Sequence, residues 1–87
     1  MTTGDVLYLV GQGRRRQNAL AASGKFAWTC SDPHATNAAK LAVLVEEVGE
    51  CGRAILGAAG AVDDGGDLKT ELVQVAAVAV AWLESLA

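Results

Sequence analysis

Apolar positions fall into three blocks separated by clusters of glycine and turn-forming residues, and within each block they recur at the three- and four-residue spacings of a helix. No run alternates as a half-buried strand does, so the pattern predicts an all-α chain. The first block, Asp5 to Ala22, is apolar at Val6, Leu7, Leu9 and Val10, then polar and basic from Arg14 to Asn18, with Gly11 and Gly13 lowering its helix propensity. From Ser23 to His34 the expected structure is an ordered loop in which Ser31 or Asp32 caps the next helix and Pro33 enters its first turn. The second helix is then expected from Pro33 to Leu56, because Leu41, Leu44, Val45, Val48, Gly52 and Ile55 repeat along one side. Gly57 and Gly60 end it. The Gly- and Asp-rich stretch from Ala58 to Asp67 suits the turn of an antiparallel helical hairpin, and Asp67 caps a third helix from Leu68 to Leu86.

That third helix is apolar around nearly its whole circumference, since 11 of the 12 residues from Leu72 to Leu83 are hydrophobic. Two other short helices cannot cover it, so the pattern predicts a three-helix chain with a central antiparallel hairpin that completes a helical bundle by homo-oligomerisation, as a homodimer or tetramer. Composition points the same way. The 87 residues fit one domain, 1–87, and the apolar content is mostly small: 17 Ala and 10 Gly against one Phe, one Tyr and two Trp. The 12-residue apolar run is too short to span a membrane, and the N-terminus lacks the basic and apolar regions of a signal peptide. Cys30 and Cys51 show neither metal-ligand spacing nor the density of a disulfide scaffold, so reduced thiols in a cytoplasmic protein are expected. A net charge of −3 argues against a nucleic-acid or anionic-membrane surface.

The acidic residues change this picture. At about 100° per residue, Glu50 lies about 40° around the second helix from Glu46 and about 60° from Glu47, so the three share a side. Ala39, Val43 and Ala54 share it too, which marks it as more than a solvated face. On the third helix Glu71 and Gln74 stand three residues apart on a face that continues through Val78 and Trp82. An antiparallel hairpin turns these groups toward the glutamates. Carboxylates three residues apart on facing helices suit a hard divalent cation, Mg²⁺ first and Mn²⁺ as the alternative. The plain alternative is a solvated acidic turn, since like charges four apart on an exposed helix cost only about 0.2–0.5 kcal/mol.

Lys40-Leu41, EEVGE at 46–50 and ELVQVAAVAVAW at 71–82 together resemble the MazG-like all-α nucleoside triphosphate pyrophosphohydrolases, whose pattern is E-x-x-E, a spacer, then E-x-x-D. RRRQ at 14–17 and KFAWTCSDP at 25–33 resemble the N-terminal part of small phage and actinobacterial members. Glu47 and Glu50 match the first element and Glu71 opens the second, while Gln74 stands where the family has Asp. The resemblance implies Mg²⁺-dependent cleavage of a nucleoside triphosphate to a monophosphate and pyrophosphate, with Glu47 and Glu50 catalytic and Glu46, Glu47, Glu50, Glu71 and Gln74 around the metal. The alternative is a non-catalytic helical interaction module that kept the packing and lost the metal site.

Other polar and aromatic residues are weighed against ordinary structural roles. Lys40, seven residues before Glu47, faces nearly the same side and is a candidate phosphate contact, with a solvated lysine as the alternative. Arg53 either steers substrate or pairs with Glu50 or Glu46 at the surface. Trp28 and Phe26 are candidates to stack a nucleobase, against a place in a core short of large side chains. Arg14, Arg15 and Arg16 read as a solvated helix face rather than a triphosphate contact, and His34 has no partner at metal-ligand spacing.

Overall fold

The computed structural model describes residues 1–62 and 65–87, so Asp63 and Asp64 of the expected hairpin turn lie outside the described residues. Three helices and, among the described residues, no strand make up the chain: α1 (Thr3–Ala22), α2 (Asn37–Ala58) and α3 (Leu68–Leu86). The all-α reading holds. α3 packs against both α1 and α2, while α1 and α2 do not pack on each other among the described residues.

The ends of the helices follow from their caps. α1 begins earlier than Asp5 because Thr2 and Asp5 form a capping box: the Asp5 amide donates to Thr2 Oγ1 at 3.1 Å and the Thr2 amide donates to Asp5 Oδ2 at 2.9 Å. α2 begins later than Pro33. Asp32 spends its carboxylate on the His34 amide, at 2.8 Å, which closes a local turn instead of capping a helix. Thr36 is the cap, its Oγ1 accepting from the Ala39 amide at 3.1 Å. Asp67 caps α3 through the Thr70 amide and hydroxyl, as expected. Gly60, just past α2, takes the left-handed φ of +76° that its position in the turn requires.

Small residues set the spacing. Ala77 and Ala81 are fully buried on α3, and a Cβ on Gly13 would stand 3.2 Å from that of Ala77, so Gly13 serves the close approach of α1 and not merely a weak helix. Cys30, Val78 and Ala81 form the core, with Trp28, Val43, Leu44 and Trp82 packed against it. Polar ties join the start of α2 to the end of α3: Trp82 Nε1 donates to Asn37 Oδ1 at 3.0 Å and Lys40 Nζ donates to Ser85 Oγ at 2.7 Å. On the other side, Arg14 of α1 is buried and paired with Glu84 of α3 at 2.7 Å. Among the described residues no large side chain is fully buried, and Leu41, Val45, Val48, Ile55, Leu72, Leu83 and Leu86 are exposed. No helix among the described residues is long and apolar enough to cross a membrane.

Candidate functional site

Helices α2 and α3 bring the acidic residues to one place. Glu46, Glu47 and Glu50 from α2, with Glu71 and Gln74 from α3, line an open cleft of about 880 Å³ floored by Val43, Cys30 and Val78. Glu46 and Glu50 are exposed at its rim, whereas Glu47 and Glu71 are half-buried. The rotation that puts 46, 47 and 50 on one side of α2 explains the grouping, and Glu71 joins because it opens the first turn of α3.

Charge in the cleft is unbalanced. The Glu47 carboxyl is held above its usual range, first by burial and then by the neighbouring carboxylates of Glu71, Glu46 and Glu50, with Arg16 pulling the other way. Carboxylates from two helices thus act on one half-buried acid. An all-oxygen donor set with uncompensated negative charge fits a hard divalent cation. Among the described residues, no three His, Cys, Asp or Glu side chains close on a point that would hold a metal ion as they are placed here. Glu46 and Glu50 are the exposed members of the group.

The substrate-contact candidates divide. Trp28 lines the cleft, together with Phe26. Lys40 does not: only 2% of it is exposed, and its ammonium is bound to Ser85 near the far end of α3. Helical periodicity places Lys40 on the glutamate side, yet two turns along α2 carry it past the cleft and into the interface with α3. Arg53 is exposed and lies outside the cleft lining. Burial pushes the Cys30 thiol up, against the pull of Lys40 and Arg14, which leaves it a poor nucleophile; Cys51 is likewise a free, buried thiol.

Gln17, Lys25 and Thr70, given no role from the sequence, line the cleft, and so does Arg16, which was expected on a solvated helix face. The arginine run is split by the helix: Arg14 turns inward to Glu84, while Arg16 reaches the cleft. The signal lay in the α1 positions Val10, Gly13, Arg14 and Gln17, whose spacing of three and four marks the buried side and puts Arg16 at its edge. No family model, curated protein or solved structure matches the chain.

Proposed function

We propose that this chain is a Mg²⁺-dependent nucleoside triphosphate pyrophosphohydrolase of the MazG-like type, adding water across the bond between the α and β phosphoryl groups to give a nucleoside monophosphate and pyrophosphate. The observation that carries the reading is the meeting of the Glu47-x-x-Glu50 element with Glu46 and Glu71 in one cleft, where burial first and the neighbouring carboxylates second raise the Glu47 carboxyl above its usual range. Glu47, Glu50 and Glu71 would hold the cation, Glu46 would assist, and Gln74 would offer an amide oxygen in the fourth position. Bound there, Mg²⁺ or Mn²⁺ supplies neutralisation of phosphate charge and acidifies a coordinated water. The chain's own part is to hold the carboxylates in reach of one another, to accept the water's proton at Glu47 or Glu50, and to offer Trp28 to the base.

In this reading α2 and α3 form the central antiparallel hairpin, which the Asn37–Trp82 and Lys40–Ser85 ties support. A second copy covers the exposed apolar side of that hairpin and completes the bundle. Two reduced, buried thiols suit a cytoplasmic protein.

Incubation with each dNTP and NTP plus Mg²⁺ should release pyrophosphate from at least one, and Glu50→Gln should abolish the release. Inactivity across the whole panel overturns the proposal. The second reading, a helical interaction module without chemistry, draws on Gln74, an uncharged and weaker ligand facing the cleft.

A further inference from the structure

The glutamates that line the cleft come from α2 and α3, and the lining residues from α1 and the segment that follows it have another character. Arg16 and Lys25 bring two cations there, and Arg16 lies near enough to Glu47 to draw its carboxyl down. Next to Arg16 in the chain is Gln17, which lines the cleft although only 7% of it is exposed. Its amide is held in one orientation. Gln17 Oε1 accepts from Arg14 Nη1 at 3.0 Å, and Arg14 is fixed in turn by Glu84 at 2.7 Å and Asn18 at 3.1 Å. With the oxygen engaged, the NH₂ group is what Gln17 offers to the cleft. Among the described residues no buried side-chain nitrogen or oxygen is left without a partner, and the residue itself lines the cleft.

We propose that Arg16, Lys25 and the Gln17 amide form the wall that receives the phosphate chain of a nucleoside triphosphate, in the same cleft as the glutamates. Two cations and a preset N–H donor are what non-bridging phosphate oxygens require. Among the described residues none of the three forms a salt bridge, whereas Arg14 does. The arrangement also explains the different fates of adjacent arginines: Arg14 orients the donor, and Arg16 meets the ligand. The inference rests on the triphosphate reading above and assigns a part of the site that the glutamates alone cannot supply.

The lining carries Arg16 and Lys25 against Glu46, Glu47, Glu50 and Glu71, so a polyanion without a cation meets net repulsion. The test therefore uses Glu47→Gln/Glu71→Gln protein in EDTA, where metal takes no part, titrated calorimetrically with inorganic tripolyphosphate. That protein should bind. Adding Arg16→Gln and Lys25→Gln should weaken binding by about tenfold or more. Adding Gln17→Glu instead keeps an oxygen for Arg14, removes the donor, and should weaken binding several-fold with the melting temperature maintained. No binding by the parent variant, or affinities within about twofold after Arg16→Gln and Lys25→Gln, overturns the proposal. Pyrophosphate release by the wild type reports separately on the hydrolase reading. Failure there with tripolyphosphate binding intact leaves the basic wall standing, and hydrolysis that survives Arg16→Gln and Lys25→Gln with an unchanged KM removes the wall alone.

Discussion

The two flanks of α2 make opposite demands. Both border the strip that packs on α3, which includes Lys40, Cys51 and Ala54. On one flank stand Glu46, Glu47 and Glu50; on the other stand Leu41, Val45, Val48 and Ile55, each exposed over half or more of its surface. α3 repeats the second flank with Leu68, Leu72, Leu83 and Leu86. The acidic flank carries more negative charge than Arg16 and Lys25 offset, and its deficit is local: it shows in the Glu47 carboxyl, which is held above its usual range. The apolar flank lacks cover, and its deficit is spread along two helices, since burying each such side chain is worth about 1.5–3 kcal/mol. On the proposed reading one side takes an ion-sized partner and the other a helix-sized one. Among the described residues, none covers those apolar side chains.

The comparison breaks most visibly in activity. Glu71→Gln is expected to lower kcat for pyrophosphate release by about 100-fold or more, some 2.7 kcal/mol of barrier, while the circular dichroism of the helices stays intact. Val48→Glu strikes the other flank. It should convert an oligomer to a monomer in analytical ultracentrifugation and remove roughly 2–3 kcal/mol of stability, in a manner that depends on protein concentration in the wild type. A monomeric wild type would refute the second-copy account and leave the acidic flank untouched.

Smaller effects sharpen the contrast. A Cβ on Gly57 would stand 2.6 Å from Gly65 Cα, a backbone contact that cannot yield cheaply. Gly57→Ala should therefore cost about 1–3 kcal/mol in urea denaturation and spread the connection through which Glu71 meets the α2 glutamates. The smallest effect is that of Glu47→Gln in EDTA. Because the folded Glu47 carboxyl is raised, the native state keeps a proton that the unfolded chain has already lost, so its contribution to stability falls as pH rises from the ordinary carboxylate range through the folded value. Glu47→Gln should remove that slope and stabilise the metal-free protein at neutral pH by about 0.5 kcal/mol. Asp5 and Asp67 act in the opposite sense. Their caps hold both carboxyls below the usual range, and their contribution is present at neutral pH and lost as pH falls through the folded values.

These features were unequally legible in the residues. α3 was readable from cap to end because Asp67 follows a glycine turn and the stretch from Leu72 to Leu83 is apolar but for Gln74. The start of α2 was not, since Asp32 and Thr36 are both competent caps, and only the bond from the His34 amide decides between them. Periodicity grouped Glu46, Glu47 and Glu50 correctly because rotation about one helix is a local property. It misled for Lys40, because position along the helix decides which neighbour a side chain meets, and that neighbour is Ser85. Gln17 and Lys25 were hidden, and Arg16 was expected on a solvated face, for a related reason: their place in the cleft depends on how closely α1 settles on α3 at Gly13 and Ala77, a tertiary fact.

The central claim is that the acidic flank is a cation site, and thermal melting with and without millimolar Mn²⁺ tests it most directly. A ligand at about ten times its Kd stabilises by RT ln(1 + [L]/Kd), on the order of 5–10 °C for a chain of this size. The wild type should show such a shift, Glu47→Gln and Glu71→Gln should lose it, and Gln74→Asp should strengthen it. A wild-type melt indifferent to Mn²⁺, or a shift of equal size in Glu47→Gln and Glu71→Gln, would contradict the account.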